Sequence, residues 1–302
     1  MTRVLKWSLQ QTCQGQPKTE QDLTDAQNLL RETLKRAQIF HLRERHYEKR
    51  ELFFSLRNRI KLFAGGNQIA KTTSVLAEVL STCFQFRPWA PDEQPLVELE
   101  RPGRIILAGP DYQNWCSENL IPKIKELIPW EAVVTQTERH QAGSLSKIEF
   151  FTGWTIKIMS YDQDTAKYES WTCNLAAFDE PPPRDKWIAT LRGCIKNSAP
   201  LLMAYTPVSE PWTFDELYEQ AVHVGERSQF KSARGKEIAC VTASLFDNPY
   251  LSDEQKKWWA EKFERDPDEA EARIYGRYKH LTGRVYKSFD LSKHVRELEL
   301  LV

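Results

Sequence analysis

The 302-residue chain has no C-x-x-C pair, no histidine at zinc-ligand spacing and no excess of either charge. Its six cysteines are scattered, which argues against a zinc motif and predicts reduced thiols in a cytosolic protein. Basic and acidic residues number 42 each, so any contact with nucleic acid is expected to be a local patch. No apolar run reaches about eighteen residues, and the amino terminus has no apolar signal core. Membrane spanning and secretion are therefore disfavoured.

A glycine-rich turn follows an apolar strand, predicted at residues 60–64, and precedes a helix predicted at residues 74–83. Such a turn aims backbone N–H groups at a β-phosphate, and the helix adds the positive end of its dipole. Lys71 is expected to reach the β- and γ-phosphates, and the Thr72 hydroxyl to bind Mg²⁺. The predicted nucleotide-binding residues are Gly65, Gly66, Asn67, Gln68, Ile69, Ala70, Lys71, Thr72 and Thr73.

Ala70 stands where this loop motif usually has its second glycine. A methyl group is tolerated if φ is negative at this residue, so the loop can still form, with weaker ATP binding as the expected cost. The alternative interpretation is a plain strand-to-helix turn that carries a surface lysine.

Two adjacent carboxylates end a second apolar strand, predicted at residues 174–178. Asp179 is expected to hold Mg²⁺ through water, and Glu180 to orient and polarise the water that attacks the γ-phosphate. Such a pair is often only the solvated start of a loop. The phosphate loop upstream makes that alternative less attractive.

A third buried strand, predicted at residues 199–204, ends at Thr206, whose hydroxyl is expected to sense the γ-phosphate and couple its loss to movement. The alternative is that Thr206 merely starts a turn before Pro207. The helix predicted at residues 184–195 carries Arg184 and Arg192, either of which is a candidate arginine finger, in its own subunit or a neighbour's. Surface ion pairing is the alternative for both arginines.

The remaining pattern predicts an α/β fold, a P-loop NTPase of the additional-strand catalytic-glutamate class with a mainly parallel sheet flanked by helices. A charged, partly basic segment at residues 43–61 favours a solvated helix face over a nucleic-acid contact. Phe53 and Phe54 within it are expected to pack on the sheet or to flank the adenine. Further predicted elements are a strand at 104–108, a helix at 113–127, a hairpin at 147–151 and 155–160, a helix at 214–222, a strand at 238–243, and helices at 253–264 and 267–275.

Taken in order, these motifs resemble the large terminase subunits of tailed double-stranded DNA bacteriophages, over residues 53–295. Residues 65–72 resemble that family's deviant phosphate loop, residues 178–182 its metal-binding strand, and residues 204–207 its coupling motif. Residues 247–251, 273–276 and 283–290 are similar to its lid and to the approach to its second domain. The loop differs in having Asn67 and Gln68 where family members frequently carry an arginine.

The resemblance implies a helical accessory segment at residues 1–52, an ATPase domain at 53–280 with a lid at about 208–280, and a linker at 281–302. Family members usually continue into a metal-dependent nuclease domain. Asp290 does not match the first nuclease carboxylate, so the chain is expected to be the ATPase portion and not to cleave DNA.

The resemblance further implies Mg²⁺-dependent ATP hydrolysis that drives double-stranded DNA, without sequence readout, into a procapsid in the host cytoplasm. The implied partners are the portal protein, the small terminase subunit and other copies in a ring, with a slow monomer as the expected form of an isolated chain. A helicase-type DNA-dependent ATPase, a non-hydrolysing assembly or DNA-docking subunit with a decayed loop, and a nucleotide kinase are the alternatives.

Overall fold

Apolar strands alternate with helices along the chain and assemble into one central sheet. The structure, a computed structural model, describes Asn28, Glu32 and residues 37–42, 47–90, 92–99, 101–140, 143–263 and 266–278. The predicted linker at 281–302 and most of the predicted accessory segment at 1–52 lie outside these residues.

Nine strands among the described residues pair in the order β3-β4-β5-β2-β6-β7-β1-β9-β8. All neighbouring pairs from β5 to β8 are parallel, whereas β4 is antiparallel to both β3 and β5. The strands are β1 Ile60–Gly65, β2 Arg104–Gly109, β3 Val134–Arg139, β4 Leu145–Phe150, β5 Thr155–Ser160, β6 Leu175–Asp179, β7 Leu201–Tyr205, β8 Val222–His223 and β9 Ile238–Ala243.

Helices cover both faces of the sheet, which is why β1 and β7 are buried along their whole length. The α-helices are α1 Glu48–Ser55, α2 Lys71–Phe84, α3 Ile121–Leu127, α4 Trp130–Val133, α5 Thr165–Glu169, α6 Arg184–Ile195, α7 Phe230–Ala233, α8 Asp253–Lys262 and α9 Pro267–Arg273. Wider π-helical turns occur at Tyr112–Leu120 and Phe214–Tyr218, and 3₁₀ turns at Gln38–His41, Arg227–Gln229 and Leu245–Asp247.

The predicted architecture is confirmed: the sheet is mainly parallel, and β7 is the additional strand between β1 and β6. The hairpin formed by β4 and β5 and the helix at residues 184–195 are also confirmed. The helix predicted at residues 214–222 is wrong, because the helical turn ends at Tyr218 and β8 follows. No helix among the described residues is long and apolar enough to cross a membrane.

The basic segment at residues 43–61 does not form one solvated face. Arg50 and Lys61 are buried, and residues 43–46 lie outside the described part of the chain. Phe53 is buried and stacks on Phe63 of β1 with ring centroids 5.2 Å apart, so it packs on the sheet. Five of the cysteines, those within the described residues, are free thiols in the interior.

Candidate nucleotide-hydrolysis site

The sheet order brings three loops to one edge. Because β6, β7 and β1 are adjacent and parallel, their carboxyl ends meet, and ligands of such sheets bind at this edge. Asp179 ends β6, Thr206 follows β7, and the glycine-rich loop follows β1.

The loop at residues 65–70 has an unusual backbone. Gln68 and Ala70 adopt φ angles of 61° and 59°, in the left-handed region that favours glycine. The condition set from the sequence, a negative φ at Ala70, is therefore not met, and the loop forms with a strained alanine. Among the described residues, no hydrogen-bond acceptor meets the backbone N–H groups from Gln68 to Thr73. Successive amides free to point at one ligand make a binding site for phosphate.

Lys71 lies inside this loop. Its Nζ donates to the carbonyl oxygens of Gly65 and Gly66, at 2.9 and 2.6 Å, and to Thr206 Oγ1 at 3.1 Å. Burial lowers the pKa of Lys71 to about 8, although the charges of Glu180 and Asp179 oppose that change. The ammonium is held by neutral oxygens and is close to two carboxylates.

Thr72 and Asp179 form a pair of hard oxygen donors. Thr72 Oγ1 donates to Asp179 Oδ1 at 2.7 Å, and the indole Nε1 of Trp115 donates to Asp179 Oδ2 at the same distance. Burial raises the pKa of Asp179, and the bonds from Trp115 and Thr72 partly offset this. No group of three or more His, Cys, Asp or Glu side chains suited to a metal lies within the described residues. Two oxygen ligands supplemented by phosphate and water suit Mg²⁺, so the residues present fit that ion.

Glu180 is held in a fixed position beside this pair. Its φ of 67° is again left-handed, and its Oε2 accepts the backbone N–H of Thr206 at 3.0 Å. The Tyr161 hydroxyl donates to the Glu180 carbonyl at 2.6 Å. Burial raises the pKa of Glu180 to about 6, whereas Lys71 and Thr206 act to lower it. A carboxylate with this pKa is mostly ionised at neutral pH and basic enough to take a proton.

Two predicted arginines do not join the site in this chain. Arg184 and Arg192 are exposed and pair with Glu216 and Glu169. Arg192 lies in the last turn of α6, where the Gly193 carbonyl accepts a hydrogen bond from the backbone N–H of Cys173, just before β6 begins. Arg192 is therefore near the amino edge of the sheet, opposite Glu180. The prediction of a finger from Arg192 in the same chain is not met, because α6 runs away from the site.

The segment after α9 packs on the phosphate loop. The N–H of Asn67 donates to the Arg273 carbonyl at 2.6 Å, and Asn248 Nδ2 donates to the Gln68 carbonyl. A Cβ added to Gly276 would lie 2.3 Å from Gly65 Cα, so only glycine allows this close approach. Segments of the lid predicted from the sequence thus pack directly against the loop.

A cavity of about 420 Å³ opens beside the start of α2. Ala70 and Thr73 form the wall next to the loop. The rest of the lining consists of Gln38, His41, Leu42, Arg50, Leu127 and Tyr250.

The fold and this arrangement of side chains define a P-loop NTPase of the additional-strand class. Among solved structures, the chain is similar to the large terminase ATPase domain of Thermus phage P74-26, with 13% identity, a TM-score of 0.56 and coverage of 80% of this chain and 96% of that domain. It is also similar to the large terminase of another thermophilic bacteriophage in complex with ADP, with 17% identity and a TM-score of 0.56. That match covers 82% of this chain and 57% of the other protein.

At these identities the likeness establishes the fold, as the sequence resemblance predicted. No protein-family model and no curated protein matches the chain.

Proposed function

We propose that this protein hydrolyses ATP with Mg²⁺ and uses the energy to move double-stranded DNA, as the motor subunit of a viral packaging machine. One observation carries the proposal. Lys71, Thr72, Asp179, Glu180 and Thr206 converge from three separate loops at the edge of the sheet where the loop amides are free.

The loop binds the phosphates. The amides from Gln68 to Thr73 surround the β-phosphate, and Lys71 exchanges its carbonyl partners for β- and γ-phosphate oxygens. Because these donors are already ordered, they need little rearrangement as charge develops on the transferred phosphoryl group. Thr72 and Asp179 would hold Mg²⁺, which supplies charge neutralisation between the phosphates.

Glu180 orients the attacking water and takes its proton. Its carboxylate is fixed by the Thr206 amide, and the same threonine's hydroxyl lies 3.1 Å from Lys71 Nζ. Thr206 therefore contacts both the group that binds the γ-phosphate and the group that activates water. Loss of that phosphate changes both contacts, which is how we expect hydrolysis to be transmitted along β7.

The nucleoside occupies the 420 Å³ cavity next to Ala70 and Thr73. This cavity adjoins the residues that bind the phosphates, and aromatic Tyr250 and His41 provide faces for a base. Phe53 and Phe54 do not flank the base in this arrangement, since both are buried in the core.

DNA contact is assigned to a cleft of about 770 Å³ at the amino edge of the sheet. Four basic side chains and one carboxylate line it: Arg57, Arg59, Arg234, Lys236 and Glu237. Arg57 donates to the neutral carbonyls of Pro95 and Gln94. Local positive charge in a chain with balanced charge suits the sugar-phosphate backbone, which is bound without sequence readout.

Two measurements test the proposal. The first is steady-state ATP hydrolysis with Mg²⁺, with and without linear duplex DNA, and DNA stimulation of turnover is expected. Hydrolysis of neither ATP nor another nucleoside triphosphate, with no nucleotide binding, would refute it.

The second is duplex binding by an Arg234→Glu/Lys236→Glu variant over a range of salt concentrations. We expect weaker binding and a log–log salt slope shallower by about 0.9 for each phosphate that is no longer neutralised. The matched control, Lys256→Glu/Lys257→Glu on α8, should bind like the wild type. Equal weakening in both variants would place DNA elsewhere.

The finer partners rest on the sequence resemblance. Assembly of copies into a ring on a portal protein, with a small terminase subunit, is the proposed setting in the host cytoplasm, and a neighbouring copy then supplies the arginine finger. No nuclease activity is expected from the described residues, and nicking of plasmid by the pure protein with Mg²⁺ or Mn²⁺ would contradict this.

A further inference from the structure

A tryptophan that no motif predicted contacts the metal-binding carboxylate. Trp115 lies in the π-helical turn that follows β2, the strand next to β6. Its indole N–H donates to one oxygen of Asp179, while Thr72 donates to the other, both at 2.7 Å. The two oxygens of Asp179 therefore have different partners, one that would share the ion and one that would not.

The indole is fixed by its surroundings. It is 7% exposed, and a Cβ added to Gly109 would lie 2.2 Å from its Cε2 atom, so the ring lies directly on the glycine backbone. Asp111 accepts the backbone N–H groups of Asn114 and Trp115 at 2.6 and 3.4 Å, which secures the turn. The ring has no room to rotate away from Asp179.

We infer that Trp115 is a positioning residue that makes Asp179 a one-oxygen ligand and thereby favours Mg²⁺ over Ca²⁺. The inference rests on the proposed function. Mg²⁺ requires near-octahedral geometry and takes carboxylates through one oxygen or through water, whereas Ca²⁺ accepts six to eight ligands and often both oxygens of a carboxylate. An indole N–H on Oδ2 opposes the two-oxygen mode and leaves the one-oxygen mode intact. Hydrogen bonds to metal-binding carboxylates commonly alter metal affinity by about 10–100-fold when removed.

The test is metal-dependent binding of the fluorescent nucleotide N-methylanthraniloyl-ADP. The protein is titrated with MgCl₂ or CaCl₂, and the ratio of the two half-saturating concentrations is measured. Trp115→Phe keeps an aromatic ring but loses the N–H. We expect it to reduce the preference for Mg²⁺ about tenfold, at the low end of such effects. Trp212→Phe is the matched control, because that indole donates to the Pro182 carbonyl and not to a carboxylate.

Gly109→Ala provides an independent route, because the added methyl displaces the indole without removing it. This variant should lose the same preference, and it carries the test if Trp115→Phe does not fold. An unchanged ratio in a folded Trp115→Phe or Gly109→Ala variant would overturn the inference and leave the proposed function standing. A wild-type protein that binds no nucleotide with either metal would overturn both.

Discussion

Two buried lysines, ten residues apart, are stabilised in different ways. Lys61 on β1 is 0% exposed, and its Nζ lies 2.7 Å from Glu78, which also accepts two bonds from Arg87. Lys71 at the start of α2 is 8% exposed and, within the described part of the chain, donates to carbonyl and hydroxyl oxygens rather than to a carboxylate. Burial lowers the pKa of each lysine to about 8.

The difference lies in what remains for a ligand to do. Around Lys61, a carboxylate of this chain neutralises the charge, so the cluster is complete and holds β1 against α2. Around Lys71, neutral oxygens hold the ammonium, and the backbone is left-handed at Gln68, Ala70 and Glu180. Unfavourable backbone conformations persist where the surrounding fold enforces them, and they are concentrated at functional sites. A phosphate supplies to Lys71 what Glu78 supplies to Lys61.

The largest expected effect separates chemistry from binding at the Lys71 region. Glu180→Gln should lower the rate of ATP hydrolysis by about 10²–10⁴-fold, because it removes the general base while keeping the side chain's size. Nucleotide affinity should stay close to that of the wild type. Lys71→Ala should weaken both binding and turnover, because it removes the phosphate's charge partner. The measurements are steady-state kinetics and fluorescent-nucleotide titration.

A matched control for Glu180→Gln is Glu210→Gln, which changes another carboxylate in the loop after β7 and should leave turnover unchanged. Hydrolysis at the wild-type rate by Glu180→Gln would show that another group activates the water. Loss of nucleotide binding in that variant would instead mean that Glu180 maintains the loop, through Thr206.

The second effect concerns the Lys61 region. Glu78→Ala should lower the free energy of unfolding by about 3–5 kcal/mol, because it leaves Lys61 and Arg87 as buried charges without this carboxylate. Urea unfolding followed by far-UV circular dichroism measures this. Glu93→Ala is the matched control, since Glu93 pairs with the same Arg87 but is partly exposed, and it should cost about 1 kcal/mol or less. Equal destabilisation by the two substitutions would mean that burial of Glu78 is not decisive.

Much of this contrast could be predicted from the sequence at the Lys71 end. Strands β1, β6 and β7 are apolar runs, and each motif stands directly after its strand, so parallel pairing alone brings Lys71, Asp179 and Thr206 together. The backbone at Ala70 could not be predicted, because the conformation depends on how the loop is held by segments that are distant in sequence.

The Lys61 cluster and Trp115 show why the rest was missed. Lys61 stands in a charged segment whose pattern favours solvent, yet β1 is central and the helix after it supplies Glu78 from 17 residues away. Trp115 contacts Asp179 across 64 residues, and no local motif marks it. Its one local signal is Gly109, the residue on which the ring lies. Strand β3 was missed because most of its side chains are exposed, so it lacks an apolar pattern.

A smaller effect compares the two lysines directly. Lys61→Met should lower the free energy of unfolding by about 1–2 kcal/mol, because Glu78 keeps its two bonds to Arg87 but loses one charge partner. Lys71→Met should leave stability unchanged or raise it, because it removes a buried cation that lacks a carboxylate bond, while it abolishes turnover. Parallel urea titrations and ATPase assays measure both. A greater loss of stability in Lys71→Met than in Lys61→Met would contradict the distinction between the two regions.

The smallest effect tests the strain in the loop around Lys71. Ala70→Gly should raise the free energy of unfolding by about 0.5–1 kcal/mol, because a left-handed alanine costs about 1–2 kcal/mol and glycine returns part of that as unfolded-state entropy. Ala260→Gly within α8 is the matched control and should lower stability by about 1 kcal/mol, since its backbone is helical. The same substitution thus has opposite signs at two positions. If Ala70→Gly is destabilising by as much as Ala260→Gly, the left-handed conformation at Ala70 is not a feature of the protein in solution, and the loop differs from Lys61's surroundings in charge alone.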